Sequence, residues 1–325
     1  MQNNGSGNNG FLLETRDLSK FFPVEKNLRG NRGFVRAVNK VTLNISRGET
    51  LGLVGESGCG KSTLARLILR LIEPDEGDIY FDGVNLRELS KKDLRKIRGR
   101  MQIIFQDPYA SLNPRLTLKS VLNEILRVHG IPPADIKNRA CGLLDLVGLD
   151  RNDMNKYPHE FSGGQRQRIG IARALAINPE FIVADEPVSS LDVSIQAQII
   201  NLMVELQRKF SLTYLFISHD LGVVRYISDR IAVMYAGRIM ETAPASEMYD
   251  NPLHPYTKLL LASAGGLAEE KGVGINTDTG DTDKTFEDCC CKYYGRCQKS
   301  SDKCKSNSID FKEVSKGHFV RCINY

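Results

Sequence analysis

No stretch of this sequence comes close to the roughly 18 consecutive apolar residues that a membrane-crossing helix needs, so none is expected. The opening, Met1 to Gly10, is rich in Asn, Gly and Ser and has no hydrophobic segment for a secretory signal. Residues 1–10 are expected to be a disordered leader, and the chain soluble and cytoplasmic. Charge of one sign is also missing. Lys and Arg number 44 against 39 Asp and Glu, a net of +5 with no long run of either sign, which gives no electrostatic reason to expect nucleic acid as a partner. No internal repeat is visible. Cysteine is scarce for most of the length: of eight, only Cys59 and Cys141 precede residue 289. With 41% hydrophobic residues, the chain has apolar material for one large core or two modest domains.

What is present begins with Gly55-Glu56-Ser57-Gly58-Cys59-Gly60-Lys61-Ser62. The apolar run Thr50-Leu51-Gly52-Leu53-Val54 precedes it, and Thr63-Leu64-Ala65-Arg66-Leu67-Ile68-Leu69 follows. This predicts a buried strand that turns through three glycines into a helix. Glycines free the backbone of Gly55 and Ser57 to Thr63 to curl N–H groups around phosphate oxygens, and the helix N-terminus adds positive potential. Lys61 is expected to reach the β- and γ-phosphates of ATP, and Ser62 to ligate Mg²⁺. A chance glycine-rich turn is a poor explanation of four fixed positions with a strand and a helix on either side.

From Leu12 to Ile45 short β-like runs, interrupted by the loop Asn27–Gly33, predict a small antiparallel sheet. Further strands are expected at Gly77–Gly83 and Met101–Gln106. Helical periodicity takes over from Leu116 to about Asn178, and strands return at Phe181–Ala184, Thr213–Ile217, Ile231–Tyr235 and Arg238–Met240. This alternation implies a largely parallel core sheet. A short helix is expected near Tyr256–Ala264. The expected fold is therefore α/β: a P-loop NTPase (RecA-like) core with an N-terminal antiparallel β-subdomain, an inserted helical subdomain at about 107–178, and a small Cys-rich C-terminal extension. In domain terms this reads as 11–264, a linker at 265–284 and a Cys-rich unit at 285–325.

Phe181-Ile182-Val183-Ala184-Asp185-Glu186 is an apolar strand that delivers two carboxylates at its C-terminal end, the edge where ligands sit in open α/β sheets. Asp185 is placed to organise Mg²⁺, and Glu186 to polarise or deprotonate an attacking water. Without the phosphate loop, an acidic pair capping a turn would be an equal reading. Phe161-Ser162-Gly163-Gly164-Gln165-Arg166-Gln167-Arg168 starts a helix at Ser162 and offers a second anion site at its N-terminus.

These segments, with Gln106, Ser189-Ser190-Leu191-Asp192 and His219, resemble the nucleotide-binding subunit of ATP-binding cassette transporters over roughly residues 12–264. The resemblance implies that Phe22 stacks on adenine, with Phe21 as the other candidate and a core phenylalanine as the plainer reading. It implies that Gln106 meets Mg²⁺ and relays nucleotide state to a membrane partner, that Asp192 shapes a dimer contact, and that His219 hydrogen-bonds the γ-phosphate. In such subunits, Ser162, Gly163, Gly164 and Gln165 close over ATP held by the phosphate loop of another subunit. One chain with one of each is thus expected to work as a head-to-tail dimer, with itself or with a sister ATPase.

Phe105 to Arg115 and Asn251-Pro252-Leu253-His254-Pro255-Tyr256-Thr257 resemble the ATPases of dipeptide and oligopeptide importers, whose partners are membrane permease subunits and, indirectly, a substrate-binding protein. Nickel-chelate importers and soluble ATPases of the same superfamily are the alternatives. Six cysteines fall between Cys289 and Cys322, and in a reducing compartment such a cluster points to metal more than to disulfides. Between Cys291, Cys297, Cys304 and Cys322 lie five, six and seventeen residues. Four thiolates suit zinc or an iron–sulfur cluster, and the lack of a close C-x₂₋₄-C pair among them counts against zinc. The spacing, with Arg296-Cys297 and Gly317 to Cys322, resembles the tail of peptide-importer ATPases and implies a [4Fe–4S] cluster on these four, with Cys289 and Cys290 spare. Far in sequence from Lys61 and Glu186, the tail is expected to staple a small domain or touch a partner, and not to join in hydrolysis.

Overall fold

A computed structural model describes residues 10–24, 33–107, 112–264, 291–306 and 309–325. The leader before Gly10, the segment 108–111, the expected linker at 265–284 and Cys289–Cys290 lie outside the described residues.

Two long strands, β1 (Phe11–Val24) and β2 (Gly33–Ser46), run antiparallel. The chain then enters β3 (Thr50–Val54) and α1 (Lys61–Ile68), and β4 (Glu76–Phe81) and β5 (Val84–Asn85) return to β1. Alternation explains the pairing: Leu13 of β1 opposes Ile45 on one side and Phe81 on the other, and all three are buried. This is the expected antiparallel subdomain, ordered β2-β1-β4-β5.

After α2 (Lys91–Arg98) and β6 (Met101–Ile104) the chain forms the helical lobe: α3 (Leu118–Val128), α4 (Pro133–Val147) and α5 (Gly163–Leu175). Leu118, Leu122 and Leu126 recur every fourth residue as a buried stripe. The lobe's helices have local start and stop signals. Thr117 accepts the Ser120 N–H ahead of α3, and Gly148 ends α4 in the left-handed conformation.

Strand β7 (Phe181–Asp185), α6 (Val193–Phe210), β8 (Thr213–Ile217), α7 (Leu221–Ile227) and β9 (Arg230–Tyr235) complete the parallel part of the main sheet. Every residue of β3, β7 and β8 is buried, as expected for parallel strands covered on both faces. Among the described residues the sheet has the order β11-β12-β10-β9-β3-β8-β7-β6, and only the five strands from β9 to β6 are parallel. Ala236 and Gly237, both at positive φ, turn β9 back into β10 (Arg238–Pro244) as a tight hairpin.

Beyond α8 (Ala245–Asp250) and α9 (Pro255–Ala264), the tail contributes α10 (Lys303–Ser306), β11 (Lys312–Ser315) and β12 (His318–Val320). Its two strands extend the main sheet: β12 pairs with β10, setting Val320 opposite Glu241. Glu241 is 0% exposed, and a carboxylate so placed needs donors. It has three, the N–H groups of Leu253 at 2.7 Å and His254 at 2.9 Å, and His318 Nε2 at 2.8 Å.

A four-charge network ties the two sheets at the opposite end. Arg47 and Arg100 both reach Asp82 and Glu180, with Arg100 Nη2 at 2.6 Å from Asp82 Oδ2 and 2.9 Å from Glu180 Oε2. Hydrogen bonds from Arg100 are the main influence that holds both carboxyls below their usual range. With each group about one-third exposed, we expect Arg100→Ala to cost no more than about 1 kcal/mol at pH 7. Depressed folded-state values mean that this contribution is complete above the unfolded carboxyl values of about 4 and fades as pH falls through the folded ones. Urea midpoints of the two proteins should therefore differ at pH 7 and differ less at pH 3. An equal gap at both pH values would show that the ion pairs are not its source.

Candidate functional site

The strand register collects the candidate residues. Ile104 of β6 lies level with Ala184 of β7, while Asp185 of β7 and Leu53 of β3 both lie level with Ile217 of β8. Because these strands are parallel, the residues just past their ends emerge along one edge: Gln106, Glu186, His219 and Gly55. Gln106 Nε2 donates to Glu186 Oε2 at 3.2 Å, and His219 Nδ1 lies 3.3 Å from the same oxygen. Glu186 has a φ of 48°, a strained value for a residue with a side chain, and its N–H donates to Ile217 O at 3.0 Å. Its carboxylate is mostly buried, whereas His219 is exposed. One carboxylate oxygen beside two polar side chains at a sheet edge suits the orientation of a water.

The phosphate loop joins β3 to α1 as expected. Gly60, the N-cap of α1, has a φ of 111°, and a Cβ there would come within 2.1 Å of Ala37 O, so glycine is required by both conformation and space. Lys61 is buried, its ammonium donating to Gly55 O at 2.8 Å and Glu56 O at 3.0 Å. Cys59 is buried beneath the loop, and that burial pushes its thiol pKa up. Ser57 and Gly58 form the exposed crest, while Ser62 and Thr63 are the next residues of α1. Ser62 Oγ donates to Asp185 Oδ1 at 3.0 Å. Burial raises the Asp185 carboxyl; the Ser62 hydrogen bond opposes that, and the neighbouring Glu186 charge adds to it. Two adjacent carboxylates, one of them buried, form a place that a cation would relieve. Ser62, Gln106 and Asp185 supply the oxygen donors that Mg²⁺ takes, and Mg²⁺ usually keeps several waters beside one or two carboxylates.

The second glycine pair stands elsewhere. Ser162 caps α5, accepting from Gln165 N–H while Gln165 Oε1 accepts from Ser162 N–H at 2.9 Å, a reciprocal capping box. Ser162 and Gly163 are exposed, and Gly164 is packed so closely on α6 that a Cβ would meet Ile195 Cγ2 at 2.5 Å. Asp192 caps α6 by accepting from Ile195 N–H at 3.0 Å, so its carboxylate anchors the helix against which these glycines rest. Phe22 is 41% exposed on the antiparallel sheet, which removes the core reading of that side chain; Phe21 lies half-buried under the Arg36 guanidinium.

The four tail cysteines are free thiols that influence one another. Burial chiefly raises Cys291, to about 11, and Cys304, Cys297 and Cys322 each add to the rise. Cys297 and Cys322 shift upward for the same reasons. Cys291 N–H donates to Cys304 O at 3.0 Å. Sulfur donors from separate turns thus share one neighbourhood, which is the right chemistry for a thiophilic group. Among the described residues, however, no three His, Cys, Asp or Glu side chains are close enough to hold a metal ion, so the expected ligand shell is not closed.

The tail, which its distance in sequence does not connect with the phosphate loop, touches it in the fold. Arg296 Nη1 lies 2.9 Å from Glu56 Oε2, and Glu56 N–H donates to Tyr256 Oη at 2.9 Å. Tyr256 and Tyr293 are buried and pack with Tyr235, their ring centroids 4.7 to 5.4 Å apart. The Asn251–Thr257 segment was recognisable by resemblance, but its task of carrying Tyr256 to the loop was not.

Residues 38–189 match the ABC transporter family, and residues 240–304 match the C-terminal region of oligopeptide/dipeptide transporters. The oligopeptide transport ATP-binding protein AppF of Bacillus subtilis is 50% identical over 98% of this chain and 99% of its own. OppF of the same organism is 50% identical over 96% of both chains. Among solved structures, a dimeric post-hydrolysis ATP-binding cassette, MJ0796, bound to ADP and phosphate, is 30% identical and superposes with a TM-score of 0.64 over 72% of this chain and 98% of its own. The cbiO1 protein from Clostridium perfringens, part of the ABC transporter complex cbiONQ, has a TM-score of 0.65 at 28% identity, over 80% of this chain and 99% of its own. No described helix is long and apolar enough to cross a membrane. With half its residues identical to those of relatives matched along nearly their whole length, the chain belongs to the ATP-binding proteins of the ABC transporter family.

Proposed function

We propose that this chain is the ATP-hydrolysing subunit of an oligopeptide importer, docked at the cytoplasmic face of a membrane permease. The observation that carries this reading is the convergence of Glu186, Gln106 and His219 beside the Ser62–Asp185 pair, in a chain half identical to two oligopeptide transport ATP-binding proteins. Backbone N–H groups of the phosphate loop hold the phosphates, and Lys61 moves its ammonium from Gly55 O and Glu56 O onto them. Ser62, Asp185 and Gln106 would hold Mg²⁺, which would supply charge neutralisation at the phosphates. Glu186 orients the attacking water and takes its proton, while His219 contacts the terminal phosphate from β8.

Ser162 to Gln165, with Ser162 and Gly163 exposed at the start of α5, close the site of a second ATPase subunit in a head-to-tail pair. The dimeric state of MJ0796 supports that arrangement. Peptide uptake separates this reading from its relatives. Cells that depend on this chain should accumulate a labelled oligopeptide and lose that uptake with Glu186→Gln. Uptake of nickel instead, or no co-purification with two permease subunits, would overturn it.

For the tail we propose a [4Fe–4S] cluster on Cys291, Cys297, Cys304 and Cys322. Support comes from the all-sulfur donor set and the mutual influence of the thiols. Such a cluster would cross-link turns that have little apolar core of their own. Anaerobic purification should yield about four irons and four sulfides per chain, lost in a Cys297→Ser/Cys304→Ser double variant. Zinc without iron would end the assignment.

A further inference from the structure

We propose that Tyr256 and Arg296 are positioning residues that latch the entrance of the phosphate loop, so that the C-terminal tail sets nucleotide affinity. This rests on the reading of residues 55–62 as the ATP phosphate site. Glu56 is the second residue of the loop and is held at two points. Its backbone N–H donates to Tyr256 Oη at 2.9 Å, and its carboxylate pairs with Arg296 Nη1 at 2.9 Å.

Both anchors are held by further contacts. Tyr256 is 0% exposed and wedged against Tyr235 and Tyr293, and burial raises its hydroxyl pKa, which keeps it a neutral acceptor. Arg296 lies over the Tyr235 ring at 5.9 Å and directly precedes Cys297 in a short 3₁₀ turn that starts at Tyr294. That turn closes when Tyr294 N–H and Cys297 N–H donate to Cys291 O and Tyr294 O. The fold of the cysteine-bearing turns therefore places the guanidinium.

On the other side of Glu56, Lys61 Nζ donates to Glu56 O at 3.0 Å. In the proposed mechanism Lys61 leaves that carbonyl when phosphates arrive. Glu56 O then keeps, within the loop, the longer contact from Cys59 N–H at 3.2 Å. The two contacts from Tyr256 and Arg296 keep the loop in its curled form while Lys61 changes partners, so ordering the loop is not charged against ligand binding.

The test is equilibrium titration of the full chain with Mg²⁺ and a fluorescent N-methylanthraniloyl-ADP, beside steady-state ATPase measurements on the same proteins. Tyr256→Phe, which removes the acceptor and leaves the Glu56 N–H unpaired, should weaken binding about tenfold. Arg296→Gln should weaken it about threefold, and Arg296→Lys should restore most of that. In both cases KM for ATP should rise while kcat stays within about twofold, as expected for loss of ground-state and transition-state binding alike. In a double-mutant cycle, Arg296→Gln should add nothing once Glu56→Gln is present. Unchanged affinity in both Tyr256→Phe and Arg296→Gln, or additive effects in the cycle, would overturn the latch. Absence of nucleotide binding by the unaltered chain would instead overturn the phosphate-site reading beneath it.

Discussion

Glu186→Gln is expected to slow ATP hydrolysis by about 10² to 10⁴-fold, the range typical of losing a general base, while nucleotide still binds. The substitution keeps the shape of the side chain and removes its ability to accept a proton. Geometry favours a clean result. The Glu186 backbone is held by its N–H bond to Ile217 O, and its side chain is mostly buried between Gln106 and His219. A glutamine can keep one of those contacts by turning its amide oxygen toward Gln106 Nε2. Because ATP would persist in the variant, the head-to-tail pair should accumulate, and light scattering at saturating ATP should find dimers with itself or with its sister subunit. Turnover near that of the unaltered protein would remove Glu186 from the proposed role.

Lys61→Ala should fail one step earlier. Its ammonium carries the hydrogen bonds to Gly55 O and Glu56 O and supplies the one cationic side chain within the loop sequence 55–62. Charge-assisted contacts of this kind are each worth about 1.5–3 kcal/mol, so losing one or two should weaken nucleotide binding by about 10² or more. Alanine also takes the ammonium from both carbonyls, leaving Glu56 O with the Cys59 N–H at 3.2 Å, so the loop loses internal ties along with its ligand. Titration with a fluorescent ATP analogue checks this directly. A variant that binds normally but does not turn over would make Lys61 a group for chemistry rather than for capture. Together the two substitutions separate capture from bond breaking, since one should abolish the first and the other only the second.

Much of this was legible in the sequence because local signals coincide with the chemistry. Thr50–Val54 reads as a buried strand, the glycines that follow read as a turn, and Ser162 with Gln165 three positions on reads as a capped helix start. The carboxylates of Asp185 and Glu186 were placed by the end of an apolar run. What local pattern does not carry is register. That Gln106 and His219 meet one oxygen of Glu186 follows from Ile104 lying level with Ala184, and Ile217 with Asp185, a property of strand pairing. Helix α2 was not foreseen because its apolar stripe is only Leu94 and the half-buried Ile97 among charged residues. The tail was the least legible part. The Arg296–Glu56 pair spans 240 positions, and β12 is three residues long, too short for alternation to announce it.

The pairing of β12 with β10 also bears on how the protein is made. His318 reaches Glu241 across 77 positions. A ribosome adding about 5–20 residues per second therefore builds β10 several seconds before its partner strand exists. In that interval β10 is an open sheet edge, and the Glu241 carboxylate lacks one of its three donors. An unpaired edge invites association with other chains. Premature termination after α9 would leave the nascent protein in that condition, with the nucleotide-binding core already synthesised. Quality control in the cell would thus meet truncated copies as aggregation-prone species and not as merely inactive ones.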